Sequence, residues 1–102
     1  MNQIIEKYPD RVPVYIGKAE RAPPDLMDLE KHKYLVPKTM TMGEFMCIVR
    51  RHVNIKSHQA IFVFVNKSIL APNSVSMNEL YEIYQSKDRM LYLEYMSENT
   101  FG

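Results

Sequence analysis

The chain has 102 residues, 46% of them hydrophobic, and a formal net charge of +1. That length leaves room for one domain around one core, burying about 60–65% of the surface the unfolded chain exposes, and none for a second. A near-neutral charge excludes a strongly electrostatic nucleic-acid binder, and the longest unbroken apolar run, the six residues of AIFVFV, is far short of the roughly 20 that span a bilayer.

The opening MNQIIEKYPD lacks the basic, apolar and small-residue order of a secretory signal. With one cysteine, no internal disulfide can form, so a reducing cytosol is the expected compartment. After the turn signal Tyr8-Pro9-Asp10, RVPVYI alternates, placing Val12, Val14 and Ile16 on one face of a predicted strand. Pro13 cannot donate to a ladder, so it must sit near the strand's start or on an unpaired side. From Gly17 to Lys33 the charged sequence with Pro23-Pro24 reads as a long connection, with a helical turn around DLMDLEK, before the short strand KYLVP closed by Pro37.

TMGEFMCIVRRHV carries the strongest helix signal, because Thr41 and Glu44 have the spacing of a capping box. At about 100° per residue, Met42, Met46, Val49 and Val53 cluster in one direction, with Phe45, Ile48 and His52 about a quarter-turn away. One cluster suffices for a core, so the second arc predicts that this helix also lines something else. AIFVFVN follows as a strand apolar on both faces, expected to be covered on both. SMNELYEIYQ repeats the helix-start logic with Ser76 and Glu79, its apolar face being Met77, Leu80, Tyr81 and Tyr84, and MLYLEY is the last strand.

Two strands, a crossing helix and two more strands predict an α+β β-grasp, a four-stranded mixed sheet with a helix on one face. The first and last strands then lie parallel at the centre and the tail SENTFG leaves from it. A ferredoxin-like fold would need a helix between the first two strands.

Chemistry-bearing clusters are sparse. Cys47 and His52 lie about 140° apart on the helix, so they form no nucleophile and base pair there. His32, His52 and His58 include no i, i+4 pair, which argues against a metal site, and no cofactor is called for. Residues 1 to 67 hold eleven Lys/Arg against seven Asp/Glu, and residues 68 to 102 two against five, so a basic and an acidic side are expected. The basic stretches RRH and KHK lack interleaved exposed aromatics, which favours a solvated face over nucleic-acid binding.

The stretches YPDRVPV at 8 to 14, KYLVP at 33 to 37, FVN at 64 to 66, LY at 80 to 81 and the ending ENTFG resemble the autophagy ubiquitin-like modifiers, the group of GABARAP and microtubule-associated light chain three. The resemblance runs from about residue 4 to residue 102. It implies a single ubiquitin-like domain over 1–102, with residues 1–8 a remnant of a shortened N-terminal helical extension and 97–102 a flexible conjugation tail. It implies no enzymatic activity. The partners implied are an autophagy cysteine protease and activating and conjugating enzymes, which would join Gly102 to the amine of phosphatidylethanolamine. The cytoplasmic protein would thereby reach the autophagosome membrane and recruit receptors carrying an aromatic-x-x-aliphatic peptide.

By the same resemblance, Tyr34, Val36, Pro37, Met40, Phe45 and Ile48 form the pocket for the aliphatic residue, and Ile4, Pro13, Lys33, Leu35 and Met90 surround the aromatic one. Arg11, Lys31 and Lys33 would attract acidic flanks, with Arg50 and Arg51 nearby, and His52 stands where the family usually has a basic residue. Met90 replaces the usual Phe, and the loop at 17 to 30 looks about two residues longer than usual.

The tail's chemistry is arguable without the resemblance. A thioester passed between enzymes must be sterically open, and glycine has no Cβ to hinder it. Five extended residues before Gly102, at roughly 3.3 Å each, reach about 16 Å into a cleft, with Phe101 as the handle and Thr100 beside it in the conjugation tail. KYLVP as an edge strand could accept a peptide as a further strand. An unconjugated β-grasp adaptor working only through that groove is the alternative reading.

Overall fold

Val12, Val14 and Ile16 alternate with neighbours of the opposite face, and all three are fully buried on strand β1, Arg11–Lys18. The computed structural model describes residues 8–22, 24, 26–53, 60–66 and 69–97. Strand β1 runs further than RVPVYI: Gly17 and Lys18, expected to open the connection, still pair with Glu94 and Tyr95 of the last strand. Strand β2, Lys33–Pro37, lies antiparallel to β1 with Pro13 opposite Leu35 and Val14 opposite Tyr34.

Paired residues of an antiparallel ladder alternate between exchanging two hydrogen bonds and exchanging none. The Ile16 N–H donates to the His32 carbonyl at 2.9 Å and the Lys38 N–H to the Asp10 carbonyl at 3.1 Å, which assigns the even-numbered residues of β1 to the bonded pairs. Pro13 is odd-numbered, so its nitrogen points away from β2. On that side the ladder with the last strand starts only at Val14, opposite Leu91, and the missing N–H breaks no bond.

Helix α1, Met42–Arg50, starts as its capping box dictates: the Thr41 hydroxyl accepts from the Glu44 N–H at 3.2 Å and the Glu44 carboxylate accepts from the Thr41 N–H at 2.9 Å. Met42, Phe45, Met46 and Val49 are buried, each burial contributing about 1.5–3 kcal/mol. Phe45 therefore belongs to the core, and the two arcs of the wheel merge into one broad stripe. The helix is shorter than its pattern. The Arg51 N–H caps it, bonding to Ile48 and Val49 carbonyls, and the His52 N–H bonds back only three residues to Val49.

Strands β3, Ile61–Val65, β4, Ile69–Leu70, and β5, Leu91–Ser97, complete a sheet ordered β2-β1-β5-β3-β4. β1 and β5 are parallel neighbours at its centre, as a β-grasp requires. The sheet has five strands, not the four expected, because the two residues of β4 are too few to show a period. Nor is β3 covered on both faces: Val63 and Val65 are buried, whereas Phe62 is 37% exposed and Phe64 is half-buried beneath the Arg21 guanidinium, 4.4 Å from its ring centroid. Ser97, assigned to the tail, is 6% exposed and pairs with Ile61, so the strand outlasts its expected end.

Helix α2, Met77–Tyr84, is capped by Ser76, whose hydroxyl accepts from the Glu79 N–H at 3.1 Å. Met77 and Leu80 are buried, with Tyr81 and Tyr84 packed partly against the core. The two helix starts are stitched together, Met42 N–H donating to the Val75 carbonyl and Met77 N–H to the Met40 carbonyl, both at 2.8 Å. This fixes the segment leaving β2.

Candidate peptide-binding edge

β2 is the outer strand of the sheet beside β1. The alternation that spares Pro13 leaves Lys33, Leu35 and Pro37 unbonded to β1, so their backbone groups face the open edge. Pro37 has no N–H, and its carbonyl accepts from the Met40 N–H at 3.1 Å. The template is therefore short: the N–H and C=O of Lys33 and of Leu35.

Side chains flank that template on two sides. Tyr34 and Val36 share the face of Val12 and Val14, toward α1, and Lys33 and Leu35 share the opposite face with Pro13. On the helix side the half-buried Tyr34 meets Phe45 edge-on, with ring centroids 5.5 Å apart at 80°, an arrangement worth about 0.5–1.5 kcal/mol beyond burial. The Lys31 ammonium lies 5.0 Å from the Tyr34 centroid, and burial raises the Tyr34 hydroxyl pKa above its ordinary value. Met40 and the half-buried Ile48 sit close by in sequence, Met40 packing on the core.

The expected site residues thus divide. Val36 is 4% exposed and Phe45 fully buried, so they belong to the core and present no open surface on the helix side. Pro13 is likewise buried, and Met90 is 4% exposed, so among the described residues of the other side only Lys33 and the 37% exposed Leu35 present open surface. Arg11, Lys31 and Arg51 are exposed, and Pro37 and Arg50 are half-buried. His52, expected on the pocket helix, is exposed on the turn beyond it. Ile4, Thr100, Phe101 and Gly102 lie outside the described residues.

Sequence reasoning missed what holds Met90. Residues 86 to 90 form a turn in which the Ser86 N–H donates to the Met90 carbonyl at 3.0 Å and Arg89 adopts φ 63. Asp88 accepts from the Ser86 hydroxyl, the Met90 N–H at 3.2 Å and the Tyr92 hydroxyl at 2.5 Å; the Ser86 bond, then that of Tyr92, holds its carboxyl below the usual range. The Tyr81 hydroxyl closes the turn on the Arg89 carbonyl at 2.9 Å. The signal was the Ser-x-Asp spacing, a side-chain turn whose reach to Tyr92 depends on strand geometry.

Comparison with known proteins agrees with this geometry. The model of the family described as "Autophagy protein Atg8 ubiquitin like" matches residues 1–102. Autophagy-related protein 8d of Arabidopsis thaliana is 44% identical over 100 residues, covering 98% of this chain and 81% of the relative. Autophagy-related protein 8 of Schizosaccharomyces pombe is 41% identical over 100 residues, covering 98% and 80%. The crystal structure of Trypanosoma brucei ATG8 superposes with a TM-score of 0.87 at 34% identity, covering 99% of this chain and 84% of that one. With sequence and β-grasp topology agreeing over nearly its whole length, the chain belongs to the Atg8 family and is a ubiquitin-like modifier of autophagy.

Proposed function

We propose that this protein is joined through Gly102 to phosphatidylethanolamine, and that the β2 edge then holds receptors by an aromatic-x-x-aliphatic peptide at the autophagosome membrane. In this reading the protein is cytoplasmic until lipidated. It is the substrate of a cysteine protease and of activating and conjugating enzymes, and not itself an enzyme.

The observation that carries the peptide half is the outward pair Lys33 and Leu35, flanked by Tyr34 on the α1 face. A bound strand would take its main-chain bonds from the first two and divide its side chains between the two faces. The tail half is supported by family membership and by the open carbonyl of a glycine. Phe45→Ala is a poor probe of the groove, because removing a fully buried ring costs about 3–5 kcal/mol of stability.

Reconstitution with cognate enzymes and phosphatidylethanolamine liposomes tests the assignment. Wild type is expected to form the adduct and Gly102→Ala to lose at least tenfold in rate, while Tyr34→Ala conjugates normally and binds receptor peptide at least tenfold less tightly. Equal adduct formation by Gly102→Ala overturns the conjugation half. Retention of conjugation-deficient protein at autophagosomes, lost on Tyr34→Ala, would select the unconjugated adaptor.

A further inference from the structure

On the sheet face opposite α1, a cavity of about 500 Å³ opens between β1, β5 and the connection into β2. Its volume falls within the range of about 300–1,000 Å³ typical of ligand sites. None of its lining residues belongs to the proposed peptide groove. We propose that it binds the guanidinium group of an arginine side chain presented by a partner protein.

Its aromatic walls are fixed in place. The Tyr15 and Tyr92 ring centroids are 5.7 Å apart and tilted by 44°, and His32 stacks on Tyr15 at 5.3 Å and 13°. His32 is anchored in turn, its Nδ1 lying 2.9 Å from the Ile16 carbonyl oxygen as a donor to it. Tyr92 is 42% exposed, and its hydroxyl bond to Asp88 pins the ring where a flat cation can lie on it.

Glu94 supplies the countercharge. It stands two residues beyond Tyr92 on the same face, about 6.5–7 Å along the strand. Across the ladder it faces Gly17, where a Cβ would sit 3.7 Å from both the Tyr15 and His32 rings, so glycine keeps the space beside those rings open. Glu94 has no hydrogen-bond or ion-pair partner among the described residues. The other charged lining groups are already engaged: Asp28 Oδ1 accepts from the N–H groups of Lys18 at 3.2 Å and Leu29 at 2.8 Å, and the Lys18 ammonium donates to the Leu26 carbonyl at 3.0 Å.

A planar, weakly hydrated guanidinium can stack on Tyr92 while its N–H fork reaches Glu94, whereas an ammonium offers no such plane. The same face displays this chemistry within the molecule. Arg21 lies over Phe64, the residue opposite Glu94 in β3.

The test titrates the isotope-labelled full chain with the peptide acetyl-Gly-Arg-Gly-amide, with its lysine and citrulline counterparts, and with phosphatidylethanolamine bicelles. Expected are saturable NMR shifts at Tyr15, Gly17, Tyr92 and Glu94 for the arginine peptide, about three- to tenfold weaker binding of lysine, and no saturation with citrulline. Glu94→Gln and Tyr92→Leu should each weaken arginine binding at least threefold, with Tyr92→Phe, which keeps the ring but loses its tie to Asp88, weakening it less than Tyr92→Leu. Equal shifts from citrulline, indifference to Glu94→Gln, or tighter binding of the lipid headgroup at these residues would overturn the assignment.

Discussion

Tyr95 shows how one hydroxyl ties distant parts of this chain. The residue is fully buried on β5, and its hydroxyl donates to the Met27 carbonyl at 2.6 Å, joining the last strand to the long connection before β2. Burial, reinforced by the nearby Asp28, pushes its pKa well above the ordinary tyrosine value. The neutral hydroxyl is therefore favoured on folding, so its contribution is complete at neutral pH, declines once pH rises past the ordinary tyrosine value of 10.0 and is lost by the folded-state value. Tyr95→Phe should lower unfolding free energy by about 1–2 kcal/mol, read as a shift in denaturation midpoint at unchanged slope; an unshifted midpoint would refute the tie. Tyr95 was legible only as a strand residue, since a partner 68 positions away leaves no local trace. The same limit hid Phe45, whose wheel position allows either core or pocket.

At the scale of the element, local rules were read well and short elements poorly. The capping box at Thr41 and the N-cap at Ser76 mark their helix starts because capping needs only residues three apart. β4 has two residues and carries no pattern, and β3 reads as doubly covered because strand composition does not say what packs on its outer face. The edge strand was legible in KYLVP, but which residues turn outward follows only from register. That register makes a prediction for β2. In the free protein the Lys33 and Leu35 amides should exchange with solvent at least tenfold faster than those of Tyr34 and Val36. Saturation with an aromatic-x-x-aliphatic peptide should slow the first pair and leave the second nearly unchanged. Uniform protection along β2, or no change on binding, would show that the peptide does not add as a strand.

Across the whole molecule, charge divides the surface. Arg11, Lys31 and Lys33 are exposed along the β2 edge, Lys31 and Lys33 at its start and Arg11 opposite Pro37 at its end, and Glu79, Glu82 and Asp88 are exposed on α2 and the turn after it. A receptor peptide with acidic flanks should therefore lose about three- to tenfold in affinity between 50 and 500 mM salt, as screening shortens from above 10 Å to a few Å, while a peptide with neutral flanks loses less than twofold. Isothermal titration at both salt concentrations checks it, and equal losses would separate the basic edge from recognition. The β-grasp order was legible because each element is continuous in sequence, and the parallel centre because topology allows few alternatives. That centre has a mechanical meaning. β5 is gripped lengthwise by β1 on one side and β3 on the other. With Gly102 tethered to a bilayer and a receptor pulling on β2, tension would pass from β5 through β1 and load the β5–β1 ladder in shear, many bonds at once, and not peel it singly. Traction from cargo would then be borne by the strongest line through the fold.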